Sequence, residues 1–268
     1  MAPDERKILM ELSEPDEAVL AALSKLDGDL LLLGAGGKIG LGLALMAKRG
    51  LDQLGASHRV IAVSRFSNAQ LPKAFAADGI GTVAADLADP ETLARLPDAD
   101  GVIFLAGNKF GTTEAPSRTW MLNTFMPGLV ANRWKQSRLV VFSSGNVYGL
   151  TTPASGGPTE AIEPEPVGEY AQTVLGRERI FDHFSRAHGT KMTTIRLNYA
   201  NEPWAGPVVD PGAADPRRRT DRFDHGPCQS GMAKRLQSRH VAVPGHRRQP
   251  SDGHQRRRSD GRRARLGG

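Results

Sequence analysis

The chain has 268 residues, a formal net charge of +6 and a single cysteine, Cys228. Its length suits one large α/β domain or two small ones, no run approaches the roughly 18 apolar residues that cross a bilayer, and one cysteine supports neither a disulfide framework nor a cysteine metal cluster. The charge suggests nucleic acid only until it is located: residues 211–268 hold fourteen Arg and one Lys against five Asp, a balance of +10 that leaves −4 for the residues before them.

The start, "MAPDERKILMELSEPDEAV", is charged and lacks the apolar centre of a signal peptide, so a cytoplasmic protein is expected. Residues 1–27 form an N-terminal extension with an amphipathic helix predicted at about 14–26. Six short apolar runs follow, each closed by turn residues: 29–34, 59–64, 81–86, 101–107, 138–144 and 192–198. They read as buried strands. The gaps leave room for helices at 37–49, 90–96, 117–133 and 169–187. This alternation predicts an α/β fold: a Rossmann-like doubly wound parallel sheet over 28–210, with a disordered C-terminal tail in place of a complete substrate domain.

The first strand runs into "GAGGKIG", with glycines spaced Gly34-x-x-Gly37-x-x-Gly40 before a helix. Such a turn lets the backbone approach a pyrophosphate whose charge rests on the helix N-terminus. Lys38 and Ile39 belong to the same turn. The second strand ends in Ser64 and Arg65 rather than an acidic residue. A guanidinium pairs with a 2′-phosphate, which favours NADP, with NAD as second choice. Asp86 and Leu87, after the third strand, suit an adenine. Leu105, Ala106 and Gly107, after the fourth, leave room near the nicotinamide ribose.

With "DL", "LAG", "VVFSSGNVYG" and "EYAQTVLGRE" following in order, residues 28–205 resemble the extended short-chain dehydrogenase/reductases, including the NAD-dependent epimerase/dehydratase family. The resemblance implies hydride transfer between nicotinamide and a hydroxyl or carbonyl carbon. It implies Tyr170 as general acid/base and Ser144, with Ser143 beside it, as the serine that meets the substrate oxygen. It relates Asn123 loosely to a structural asparagine. The family's lysine, four residues after the tyrosine, is here Val174. A phenol ionises near pH 10 without a nearby cation, so the charge must come from elsewhere. Lys109, in the loop after the fourth strand, is the preferred substitute. Arg177, two helical turns beyond Tyr170, is the other; its competing reading is an ion pair with Glu178 or a neighbour on a solvated face. His183 and His188 lack partners at ligand spacing, so no metal site is expected.

The expected function is an NAD(P)-dependent oxidoreductase or epimerase/dehydratase-like enzyme acting on a small carbonyl or hydroxyl substrate, with a nucleotide sugar as one candidate. The alternative is a catalytically inactive NAD(P)-binding protein of the same fold. A homodimer through the helices after strands four and five is expected by analogy, with no nucleic-acid or membrane partner.

After Asp210 the text turns Arg-, Pro- and Gly-rich and loses apolar periodicity. Such a segment cannot bury enough apolar surface to offset its chain entropy. An RNA-binding tail is one reading. Out-of-frame translation of a GC-rich gene fits better, because a one-nucleotide shift with synonymous codons permits ordinary protein-like text ending in "MVINVAG". The chain therefore reads as frameshifted near Asp210.

Overall fold

The computed structural model describes residues 3–198 and residue 200. The expected tail at 211–268 and the frame change near Asp210 lie outside the described residues. Six strands form one parallel sheet: β1 (Leu30–Leu33), β2 (Val60–Ser64), β3 (Gly81–Ala84), β4 (Gly101–Phe104), β5 (Arg138–Ser144) and β6 (Met192–Leu197). Their order is β3-β2-β1-β4-β5-β6, the expected doubly wound arrangement. Registers such as Leu33↔Val63 and Leu33↔Phe104 align the carboxyl ends of the three central strands.

The helices are α1 (Pro3–Leu12), α2 (Glu17–Leu23), α3 (Gly40–Gln53), α4 (Gln70–Ala77), α5 (Pro90–Arg95), α6 (Pro116–Trp120), α7 (Met126–Arg133) and α8 (Gly168–His188). Alternate strand residues feed two core layers. Leu30, Leu32, Ala62 and Val140 pack with α2 and α3. Leu31, Leu33, Val63 and Val141 pack with α5, α7 and α8 on the other face. Leu31, Leu32 and Leu33 are fully buried, and burying such a side chain contributes about 1.5–3 kcal/mol.

Two helices differ from expectation. The N-terminal helix starts only at Glu17, because Asp16 caps it by accepting from Val19 N at 2.9 Å. A further helix, α1, precedes it and is tied down by Arg6 to Asp78 and by Arg49 Nη1 to Met10 O at 2.6 Å. The helix expected at 117–133 is broken by a π-helical turn, Met121–Phe125. Pro127 explains part of this: it has no N–H to return to the carbonyl four residues back, that of Asn123.

Candidate active site

The strand order reverses between β1 and β4, and a cleft opens outside the carboxyl ends of these two strands. Gly34, Gly37, Lys38, Ile39, Gly40, Leu105, Ala106, Gly107, Lys109 and Tyr170 all line it, with Asn108, Phe142, Ser143, Arg177 and Leu197. Ser64, Arg65, Asp86, Leu87 and Ser144 do not.

The three glycines of the turn have different reasons to be glycine. Gly34 has φ +86°, and a Cβ there would stand 2.5 Å from Ala106 N. A Cβ on Gly40 would stand 2.0 Å from Ala35 O, so the first turn of α3 can pack only without one. At Gly37 the nearest atom to an added Cβ is Gly34 O, at 3.7 Å. The protein itself does not require glycine there, which leaves the space beside the turn for a ligand. The N-terminus of α3 has no side-chain cap, and no Asp or Glu lines the cleft. These residues fit a dinucleotide pyrophosphate, with backbone N–H groups as its donors.

On the far wall, α8 supplies Tyr170 and Arg177. Arg177 is only 6 % exposed. Its Nη1 donates to Phe142 O at 2.8 Å, its Nη2 to Asn123 Oδ1 at 3.1 Å and its Nε to Asn123 O at 3.4 Å. That last acceptor is the carbonyl which Pro127 cannot serve. The guanidinium also lies over the Phe104 ring, 5.4 Å from its centroid. Burial pushes the Arg177 pKa down to about 10, against the opposing attraction of Tyr170 and then Glu178. The solvated face weighed for Arg177 is therefore corrected: the side chain is inside, in the wall that carries Tyr170. Lys109 is exposed at the mouth. Desolvation and then repulsion by Lys38 lower its pKa.

Ser144, expected to meet the substrate, is not among the residues that line the cleft, and its hydroxyl is engaged locally. Its Oγ accepts from Asn146 N at 3.2 Å and caps the 3₁₀ turn Gly145–Val147. Ser143 takes the cleft position and donates to buried Glu178. Ser143 shares a face with Leu139 and Val141, which pack towards α8, so strand parity accounts for its contact with Glu178. Glu178 is in turn paired with Arg196, Oε2 to Nη2 at 2.8 Å, and Arg196 Nη1 donates to Tyr148 OH at 2.6 Å. This polar chain, buried at Ser143 and Glu178 and half-buried at Arg196 and Tyr148, has no counterpart in the sequence reading.

The adenosine end is less enclosed. Arg65 is exposed at the end of β2, and Ser64 Oγ stands 2.5 Å from where a Gly36 Cβ would be. Asp86 is exposed and accepts from Ala88 N at 3.0 Å. Leu87, expected to pack on an adenine, is 5 % exposed and belongs to the core layer under α5. Its apolar side chain already has its partners. Among the described residues, no group of three or more His, Cys, Asp or Glu could hold a metal, and no helix is long and apolar enough to cross a membrane.

The family model for the NAD dependent epimerase/dehydratase family matches residues 30–208, about two thirds of the chain. The chain belongs to this family. A comparison with curated proteins found no match. Among solved structures, UDP-glucuronic acid 4-epimerase from Bacillus cereus, in complex with NAD, is similar at 18% identity and TM-score 0.54, over 67% of this chain and 60% of that one. The UDP-Glc/GlcNAc 4-epimerase of Campylobacter jejuni is similar at 19% and 0.54, over 63% and 53%. UDP-glucose 4-epimerase from Brucella ovis, in complex with NAD, is similar at 18% and 0.52, over 63% and 51%. The chain thus spans between half and three fifths of these three proteins, and at such identities the likeness shows the fold alone. For a member of the epimerase/dehydratase family, Val174 is a structural departure as well as a chemical one. It is completely buried, with 0 % exposure.

Proposed function

We propose that this family member is an NAD(P)-dependent oxidoreductase or epimerase/dehydratase-like enzyme acting on a hydroxyl or carbonyl carbon of a small substrate. The observation that carries this reading is the meeting, in one cleft, of the glycine turn with its unfilled space at Gly37 and of Tyr170 with Arg177. The cofactor, when bound, supplies or accepts the hydride. Tyr170 holds the proton that leaves or joins the substrate oxygen. Arg177 supplies the fixed positive charge in the wall behind it, in place of a lysine at 174. Ser143 spends its proton on Glu178 and so offers its lone pairs to a substrate hydroxyl. Nucleotide sugars are the substrate class supported by the complexes of similar folds, such as UDP-glucuronic acid with the Bacillus cereus enzyme.

NADP is the proposed cofactor. Arg65 is exposed at the end of β2, with no acidic residue at that strand end to hold a ribose 2′-hydroxyl. The NAD in similar folds supports the other choice. A homodimer is also proposed, through the helices after β4 and β5, where Trp120 of α6 and Phe125 of the π-helical turn are 40 % and 57 % exposed. The inactive-protein alternative rests on Val174, and the buried cation at Arg177 weakens that argument.

Fluorescence titration with NADPH and NADH tests the reading directly. Binding of at least one is expected, and binding of neither removes it. With UDP-glucose and UDP-glucuronate as trial substrates, Tyr170→Phe should lower turnover by about 10²–10⁴-fold while leaving cofactor affinity unchanged.

A further inference from the structure

The cleft is lined by three cations, Lys38, Lys109 and Arg177, and by no carboxylate. Arg177 lies inside and is held by carbonyl groups. The two lysines are exposed at the mouth, on the separate loops that follow β1 and β4. Among the exposed cations elsewhere, Arg59 pairs with Asp29 and Arg186 with Asp182, whereas Arg65 and Arg118 make no ion pair among the described residues and are not set into a shared cleft. Lys38 and Lys109 make no ion pair or hydrogen bond among the described residues. Both line the same cleft, and repulsion by Lys38 adds to desolvation in lowering the Lys109 pKa. Two like charges facing one partly desolvated space oppose each other, and an anion between them removes the cost.

The loop that carries Lys109 is also held in place. Fully buried Asn123 accepts from Asn108 N at 2.7 Å and donates to Asn108 O at 2.8 Å. Both ends of that peptide neighbourhood are fixed, so Lys109 is presented from a braced backbone.

We propose that Lys38 and Lys109 form a two-sided clamp for a diphosphate group at the mouth of the cleft. The inference deepens the proposed function and rests on its reading of the cleft as a dinucleotide site. The glycine turn and the start of α3 reach such a group from one side, through backbone N–H groups. Lys109 reaches it from the loop after β4. A carboxylate offers one centre of charge to two ammonium groups, whereas a diphosphate offers two linked centres. The diphosphate has two sources, the cofactor's pyrophosphate or the nucleoside diphosphate part of a substrate.

The test is calorimetric titration of the full chain with inorganic pyrophosphate, NADH and UDP, repeated for Lys38→Ala, Lys109→Ala and the double variant. Both side chains are exposed, so circular dichroism should be unchanged. Each single substitution should weaken pyrophosphate about tenfold at low salt, and high salt should shrink the difference. Loss of affinity for NADH assigns the clamp to the cofactor, and loss for UDP assigns it to the substrate. If Lys109→Ala leaves all three affinities within about twofold, the clamp is overturned, even where NADH binds the unaltered chain well. Failure of NADH to bind the unaltered chain removes the dinucleotide reading instead, and the clamp falls with it only if the pyrophosphate arm is also unaffected.

Discussion

Gly37 and Gly40 are three residues apart in one turn, yet a methyl group added to each meets opposite circumstances. At Gly40 it would press on the Ala35 carbonyl at 2.0 Å, and neither partner is a flexible side chain. Gly40→Ala should therefore destabilise the fold by about 3 kcal/mol, read as a lowered midpoint in urea unfolding. At Gly37 the same change meets nothing closer than Gly34 O, at an ordinary contact distance of 3.7 Å. Gly37→Ala should leave that midpoint nearly unaltered while weakening cofactor binding at least about tenfold; equal affinity for both chains would show that the space is not used. The glycine spacing was legible in the sequence, but this division of labour was not, because it depends on how the turn folds back on Gly34 and Ala35. The serine pair was legible to within one residue. Motif alignment points to Ser144, whereas the serine that lines the cleft and reaches Glu178 from α8 is Ser143.

Among the elements, α8 does the most to assemble the site. It carries Tyr170, the Arg177 that ties Asn123 to Phe142, and the Glu178 that joins Ser143 to Arg196. Glu178 thereby links the helix to neighbouring strands β5 and β6. Glu178→Ala would leave Arg196 without its carboxylate and Ser143 without its acceptor, in a region where both are largely shielded. The expected loss is about 3–5 kcal/mol of unfolding free energy; a change below about 1 kcal/mol in denaturant titration would mean that water replaces the pair. The helix itself was readable from its length and apolar spacing. The π-helical turn was not, although its cause stands in the sequence as Pro127. A proline signals a missing N–H, but only the folded chain shows that the orphaned Asn123 carbonyl accepts from Arg177.

For the molecule as a whole, the sheet was the most legible feature. Each of its six strands is a short apolar run closed by turn residues; the four inner ones are buried as expected, whereas among the described residues the edge strands β3 and β6 are only partly covered. The N-terminal α1 was missed because its register with Asp78 and Arg49 is tertiary. The family match ends at residue 208, where the composition also changes. Sequencing the gene across the Asp210 codon in several clones should reveal a one-base discrepancy there. An intact frame in every clone would count decisively against that expectation.

The burial of Val174 sets a rule for anyone who would re-engineer this cleft. Grafting an ammonium group back at position 174 is not a repair, because the site is filled and a second cation already occupies the wall one turn further along. A side chain added at Gly107 would likewise collide with Arg177 Nη2, at 2.4 Å. Positions 107 and 177 are thus exchangeable only together. A library that varies them one at a time would sample mostly broken intermediates and would miss any working alternative.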